Sequence, residues 1–346
     1  MIEPLARQLV RLQTAKPFHV LAALGLVTAL LVPGILQLQI RPSTEAILPE
    51  DDPVVESLDT LRAKFSGDST YILVRDSHDI RRHDFMEKLQ RIENRLIRLE
   101  NVAGVTSPAS ILEQQYGRIP EQKERLSIDY RGLATDDYRT AVITVRADTQ
   151  ADASEIRQLH NQITRIMQAE ALGEGFQLTG YNMINLATFQ VIISDFIKIT
   201  AVAFLAVLTV LYAVFRDVKR MLMPVTPVIL ALIWMLGLGG YLGADLTIIS
   251  MVSAAMIMGL GIDFGIHVTK RYYGSTRDRE GLETTMEELA RGLLGGSTTT
   301  GVGFLALLAA NLAGMHALGI FLFTGIMSAY MGAVILLPTI IVLIDL

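Results

Sequence analysis

Residues 246–269 read LTIISMVSAAMIMGLGIDFGIHVT, an apolar stretch in which Asp263 is the only formally charged side chain. A helix needs about 20 apolar residues to cross the hydrocarbon core of a bilayer, so this stretch predicts a membrane span. A carboxylate near the membrane interior costs about 2.5–3.5 kcal/mol even on the mildest insertion scale, and such residues usually mark a function. The stretch therefore predicts a membrane protein and provides its first candidate functional residue.

Five other stretches have the same apolar character, and the composition of the chain agrees with them. Hydrophobic residues make up 51% of the chain and charged residues 19%, against about 25% charged residues in a typical soluble domain. The first stretch in chain order, residues 18–38, is too long for the apolar region of a signal peptide, and no small-residue cleavage pattern follows it, so we predict a retained helix. The predicted six-helix fold has its other spans at residues 18–38, 195–215, 221–244, 292–315 and 317–344.

The basic residues between the spans predict the orientation, because cytoplasmic loops carry an excess of Lys and Arg. All of the following fall on one side of the predicted membrane: Arg7, Arg11, Lys16, Arg216, Lys219, Arg220, Lys270, Arg271, Arg277, Arg279 and Arg291. We therefore predict a multi-pass protein of the inner (plasma) membrane with both termini in the cytoplasm. The predicted domains are 1–38, an extracytoplasmic domain at 39–190, and a bundle at 191–346.

Residues 278–294, in the last basic loop, place apolar residues at helical spacing with acidic residues between them. This pattern is typical of an amphipathic helix on the membrane surface, and equally of a short helix packed on the bundle.

The predicted outside domain alternates between strand and helix periodicity. Its strand-like stretches are residues 70–74, 102–106, 140–145 and 176–179, and its helix-like stretches are residues 84–99 and 153–169. Two successive βαβ units predict a ferredoxin-like α+β (βαββαβ) fold, with residues 108–137 as an insertion between the halves.

Several classes of function are disfavoured by the composition. The chain has no cysteine and a net charge of -5, so Cys-based metal sites are excluded and nucleic acid is not a predicted partner. It has neither a metal-spaced His cluster nor a Gly-rich phosphate loop after a strand, so we predict no cofactor, no metal and no enzymatic activity. The pair Gly239-Gly240 indicates tight helix packing.

The surroundings of Asp263 suggest how it could work. We place it roughly 25 Å from the external end of its span, toward the cytoplasmic half. Burial disfavours the charged form of a carboxyl group, so Asp263 is a candidate for binding and releasing protons. His267 lies on the same helical face and is either a proton relay or an ordinary interfacial histidine. The hydroxyl cluster at the start of the fifth span either reaches Asp263 or bonds to its own helix. The candidate relay residues are Asp263 and His267, and the candidate partners and packing residues are Gly259, Gly261, Phe264, Thr298, Thr299 and Thr300.

Three motifs carry a resemblance to a known family. They are GLGIDFGIH at residues 259–267, TTTGVGFLALL at 298–308 and LLPTIIVLI at 336–344. With the order of one span, a large outside domain and five more spans, the chain resembles one half of the RND superfamily, in its MMPL-like, hydrophobe/amphiphile efflux-3 branch. The resemblance implies that Asp263 carries coupling protons and that Gly259 begins a GxxxD pattern. Many relatives have Tyr where this chain has Phe264.

Relatives commonly carry two such halves in one chain. The resemblance therefore implies a second copy of this chain or a second half of the same fold as a partner, besides membrane lipids and a hydrophobic or lipid-like substrate. The expected function is export of hydrophobic or amphiphilic molecules driven by the proton gradient. The alternative is a lipid- or sterol-sensing, or lipid-binding, membrane protein of the same architecture that does not transport.

Overall fold

The computed structural model describes residues 2–41, 48, 53–54, 57, 60, 68–147, 153–170 and 175–345. The chain forms two compact units. We call Met1–Glu50 with Val191–Leu346 the helical unit and Asp51–Gln190 the sheet unit.

Six helices in the described part of the chain are long and apolar enough to cross a membrane, which confirms the predicted spans. They are Pro17–Ile35, Tyr181–Phe215, Val218–Tyr241, Ser250–Tyr273, Arg279–Ala309 and Ala313–Asp345. The second of these begins earlier than predicted, because the helix follows directly on a strand that ends at Gly180. The fifth contains the predicted amphipathic segment as its first turns, so that segment and the span form one continuous helix.

The helices are labelled in chain order. The helices that lie wholly or largely in the helical unit are α1 (Ile2–Ala15), α2 (Pro17–Ile35), α7 (Tyr181–Phe215), α8 (Val218–Leu222), α9 (Val225–Tyr241), α10 (Ser253–Tyr273), α11 (Arg279–Leu305), α12 (Ala313–Met331) and α13 (Leu337–Asp345). Helices α12 and α13 are joined by a π-helical segment, Gly332–Leu336. The 3₁₀ turns Ser250–Val252 and Ala306–Ala309 lie before α10 and after α11.

The core of the helical unit lies where α9, α10 and α12 meet. Met235, Ile257 and Phe321, one from each of these helices, are fully buried there. The apolar first turns of α11 extend this core, because Leu282 and Met286 are buried in it. The segment predicted as amphipathic therefore has its apolar residues buried in the bundle.

Glycines set the spacing between α2 and α9. A Cβ on Gly240 would lie 1.9 Å from the carbonyl oxygen of Gly34, and one on Gly237 would lie 2.4 Å from that of Leu31. A Cβ on Gly239 would lie 2.2 Å from the ring of Phe321. The backbones of α2 and α9 can touch because Gly237 and Gly240 have no side chain, and Gly239 leaves room for the ring of Phe321 on α12. These contacts confirm the packing role predicted for Gly239-Gly240.

The sheet unit contains a four-stranded antiparallel sheet. Its strands are β1 (Asp68–Arg75), β2 (Val102–Thr106), β3 (Thr140–Ala147) and β4 (Gly175–Gly180), in the spatial order β2-β3-β1-β4. Helix α3 (His83–Leu96) follows β1, and α6 (Ala153–Glu170) precedes β4. The connection from β2 to β3 holds α4 (Pro108–Tyr116) and α5 (Gln122–Ser127).

Both long helices of the sheet unit cover the same face of the sheet. Alternate strand residues such as Ile72 and Ile143, which pair across β1 and β3, are fully buried under Leu89 of α3 and Ile163 of α6. The intervening residues lie on the opposite face and are less buried: Tyr71 is exposed, and Leu73 and Val142 are half-buried. This alternation is the period of two that makes one face of a strand apolar.

Candidate functional site on helix α10

Asp263 is the central residue of α10, which runs for 21 residues from Ser253 to Tyr273. It therefore lies about 15 Å from each end of the helix. The structure differs here from the predicted depth of roughly 25 Å, because the helix begins later than the apolar run does.

The late start of α10 has a local cause. Leu246 forms a bridge with Ile40 beyond the end of α2, which holds it in extended backbone. Thr247 then donates its N–H to Ser250 Oγ at 2.9 Å, and Ser250 donates its own N–H to Thr247 Oγ1 at 3.3 Å. These exchanged bonds form a turn ahead of the helix, as Ser and Thr side chains often do.

Asp263 lies on an exposed side of the helical unit, together with Gly259 and His267. We call these three residues, spaced four apart on α10, the Asp263 face. A Cβ on Gly259 would have nothing within 4 Å. In the part of the chain that the structure describes, no residue forms a hydrogen bond or ion pair with Asp263. The carboxyl group at the centre of a membrane-length helix thus has no partner within its own described chain.

The opposite side of α10 is tightly packed, and this fixes the direction of Asp263. A Cβ on Gly261 would lie 2.9 Å from the Cβ of Ala329, and one on Gly265 would lie 2.7 Å from the backbone of Pro224. Phe264 is buried and meets the ring of Tyr330 edge to face, with 6.5 Å between ring centroids. Since these contacts hold one side of α10 in the bundle, Asp263 must point away from it.

The hydroxyl cluster of α11 serves its own helix in the single chain. Thr299 donates to the carbonyl oxygens of Gly295 at 3.0 Å and Gly296 at 3.1 Å. Ser297 donates to Leu294 at 3.1 Å. Thr298 is exposed and Thr300 is half-buried. The described residues include no hydrogen bond from this cluster to Asp263, so its role as a relay partner stays a prediction.

Helix α11 also has an open side. Cβ atoms built on its glycines Gly292, Gly295, Gly296 and Gly303 would have nothing within 4 Å. Helices α10 and α11 are joined beyond Asp263 by an ion pair between Arg271 and Glu288. Two neighbouring helices therefore both present positions without side chains to the outside of the unit.

Other polar residues noted in the sequence have local partners. Lys198 lies 4.0 Å from Asp195 on α7, and both are partly or fully exposed. His316 Nε2 lies 2.7 Å from the carbonyl oxygen of Ala310, six residues before it. Neither pair is brought to Asp263 by a described contact.

Sequence reasoning missed Gln13. Its side chain on α1 is fully buried in the helical unit, where it donates to the carbonyl oxygens of Val334 and Ile335. One signal was available: Pro338 inside the last span leaves a carbonyl without its helical donor, so some other donor had to be found.

Known proteins are similar to this chain over most of its length. The model of the MMPL family matches residues 46–345. The chain belongs to the MMPL family. This family is part of the RND superfamily. The MMPL chain is also similar to a protein of Methanocaldococcus jannaschii whose name assigns it, provisionally, to the membrane: the two are 25% identical, over 99% of this chain and 95% of the relative.

Proposed function

We propose that this MMPL protein exports hydrophobic or amphiphilic, lipid-like molecules and that Asp263 binds and releases the protons that drive export. The supporting observation is the position of Asp263 at the centre of a membrane-length helix, exposed and without a partner in its described chain. A carboxylate facing lipid at that depth is expensive, so such residues face a partner, a bundle interior or a water-filled path.

The partner in this proposal is a second copy of the chain. A twofold axis places the same surface of both copies in contact, so the Asp263 face of one copy would meet that of the other. The open glycine positions on α10 and α11 favour this, because small residues allow close approach of helices in a membrane. Two carboxyl groups held close together cannot both stay ionised at low cost, which favours uptake of a proton by the pair.

The proposal also includes an orientation in the membrane, a role for His267 and a role for the outside domain. Basic residues cluster at the end of the helical unit where α1 begins, and the positive-inside rule assigns that end to the cytoplasm and residues 39–190 to the outside of an inner (plasma) membrane. His267 lies on the Asp263 face one turn nearer that end, and it passes protons between the cytoplasm and Asp263.

The spatial strand order β4-β1-β3-β2, with a helix after β1 and after β3, supports a ferredoxin-like outside domain that receives the substrate.

A second candidate function is lipid or sterol sensing, or lipid binding, without transport. The observation that favours it is the bonding of Ser297 and Thr299 to their own helix, which leaves Asp263 without a relay in the single described chain. The two functions differ in one consequence: only a pump needs Asp263 to change its protonation state.

Transport by reconstituted protein distinguishes the two functions. Vesicles containing the full chain and an NBD-labelled phosphatidylethanolamine would be given a pH gradient, and movement of the label between leaflets would be followed by dithionite quenching. We expect gradient-dependent movement with the native chain and none with Asp263→Asn. The matched control is Asp195→Asn, the same change on α7, which should retain movement. If Asp263→Asn moves the label as fast as the native chain and still responds to the gradient, proton coupling through Asp263 is wrong.

Self-association can be tested separately, because the chain has no cysteine and an introduced one is unique. Gly259→Cys should form a disulfide-linked dimer under mild oxidation in membranes. Gly25→Cys on α2 is the control, because a side chain there also has nothing within 4 Å but lies outside the Asp263 face. Equal cross-linking of the two variants would contradict the proposed interface.

A further inference from the structure

Gln13 occupies an unusual place for a polar side chain. It is on α1, outside the predicted spans, and its side chain has no solvent exposure. Its Nε2 lies 3.1 Å from the carbonyl oxygen of Val334 and 3.2 Å from that of Ile335. Its Oε1 is buried and has no donor among the described residues. Because both neighbouring atoms are acceptors, only the amide orientation that points Nε2 at them fits.

The carbonyl of Val334 lacks its usual α-helical donor for a covalent reason. In an α-helix it would accept the N–H of residue 338, four positions on, but residue 338 is proline and has no N–H. Val334 itself lies within the π-helical segment Gly332–Leu336, where the regular α-helical pattern of hydrogen bonds is interrupted. The next carbonyl, of Ile335, also accepts the hydroxyl of Thr339 at 2.7 Å. Gln13 therefore supplies, from the other end of the sequence, the hydrogen bond that Pro338 removes.

Gln13 is held there by the docking of α1. Val10, one turn earlier, is 1% exposed and belongs to the same apolar cluster as Leu282 and Met286 of α11. Arg7 pairs with Glu287, and Arg11 lies 3.6 Å from Glu283. Exposed ion pairs contribute little, so the burial of Val10 and Gln13 contributes more to the docking than the two ion pairs do.

The π-helical segment lies next to the residues that orient Asp263. It begins at Gly332, where a Cβ would lie 2.9 Å from Pro227 of α9. Ala329 and Tyr330, in the turn just before it, contact Gly261 and Phe264, which flank Asp263 on the other side of α10. A change in the shape of the π-helical segment would therefore alter these two contacts first.

We propose that Gln13 is a positioning residue. It donates to Val334 in place of the backbone N–H that Pro338 lacks, so that α1 acts as a strap. The strap holds the π-helical segment of the last span and, through Ala329 and Tyr330, the position of Asp263. The last link rests on the proposed proton-binding role of Asp263. The hydrogen bond from Gln13 to Val334 does not depend on that role.

The test is a double-mutant cycle between Gln13 and Pro338 in the full chain. Gln13→Leu keeps the size of the side chain and removes the donor. Pro338→Ala restores a backbone N–H, so that Val334 can be satisfied within its own helix. Gln8→Leu is the matched control, since Gln8 lies on the exposed side of α1.

The first measurement is hydrogen exchange of the backbone amides of residues 332–342. We expect Gln13→Leu to speed exchange about tenfold, as when one buried acceptor loses its donor, and Gln8→Leu to leave it unchanged. In the Pro338→Ala background, Gln13→Leu should have little further effect. An equal effect in both backgrounds would mean that Gln13 only fills space, and the proposal would be overturned.

The second measurement is labelling of Asp263 by dicyclohexylcarbodiimide, which reacts with protonated carboxyl groups, as a function of pH. We expect Gln13→Leu to shift the pH midpoint of labelling and Pro338→Ala to cancel the shift. If exchange follows the cycle while the labelling midpoint stays fixed, the link from the strap to Asp263 is refuted. Neither measurement requires transport, so a failure of the export function would be seen independently.

Discussion

Gly240→Ala tests whether the contact between α2 and α9 has been described correctly. The added methyl group would lie 1.9 Å from the carbonyl oxygen of Gly34, whereas ordinary contact begins at about 3.4 Å. The clashing atom belongs to the backbone, so it cannot rotate away. The two helices would have to separate by about 1.5 Å along a seam that also includes Gly237 and Leu31.

The expected cost can be bounded from both sides. Overpacking of a well-packed core costs about 1–3 kcal/mol, and a 1.5 Å separation also forfeits much of the dispersion energy along the seam. Replacing glycine by alanine within a helix recovers about 1 kcal/mol of helix propensity. We therefore expect a net destabilisation of about 1–3 kcal/mol for Gly240→Ala. Gly25→Ala on α2 should instead be neutral or stabilising by up to about 1 kcal/mol, because nothing lies within 4 Å of its added methyl group.

The assay is thermal unfolding of the detergent-solubilised chain followed by tryptophan fluorescence. The chain has one tryptophan, Trp234 on α9. It is 4% exposed and donates its indole N–H to Thr28 Oγ1 of α2 at 2.9 Å, so it reports on this seam directly. Gly240→Ala should lower Tm by several degrees relative to Gly25→Ala and shift the Trp234 emission to the red. A Gly240→Ala chain as stable as the Gly25→Ala chain would refute the described packing.

Three further changes test other contacts. Arg125→Met should lower the free energy of unfolding of the sheet unit by about 2–4 kcal/mol in denaturant titration, because the buried guanidinium donates to two backbone carbonyls that would lose their donor. Burial raises the pKa of Glu93 even though Ser107 and Ser110 donate hydrogen bonds to its carboxylate. In the unfolded chain the pKa of this group is about 4.5. Stability therefore falls as the pH rises from that value through the higher pKa of the folded state. Ser110→Ala should therefore destabilise more at pH 7 than at pH 4, and an equal loss at both would contradict this. Tyr273→Phe should cost about 1–2 kcal/mol in the unfolding of the helical unit, because it removes a 2.6 Å hydrogen bond to Asp345.

The predicted elements agree with the structure where the signal is local. Apolar runs of membrane length gave the six spans, and alternation of strand and helix periods gave the strands and helices of the sheet unit. The ends were less certain: α10 begins at Ser253 because bonds between Thr247 and Ser250, and the bridge of Leu246, compete with helix formation. No hydropathy pattern reports such competition.

The candidate site was predicted as a set of residues but not as an arrangement. Asp263 stands out in sequence because its chemistry conflicts with its surroundings. That Gly261 would lie inside the bundle and Gly259 on an open side could not be predicted, since both are glycines of one motif and differ only in what packs beside them.

The sequence by itself determined the membrane class, the spans, and the presence of one carboxyl group within a long apolar helix, because hydropathy and charge are properties of each residue and its near neighbours. The tertiary structure alone decided which glycines receive a neighbouring helix, which way Asp263 points, and that Gln13 reaches Val334, 321 positions along the chain. Contacts of that kind depend on how separate helices pack. Helical periodicity relates only residues three or four apart, so it cannot predict contacts between separate helices.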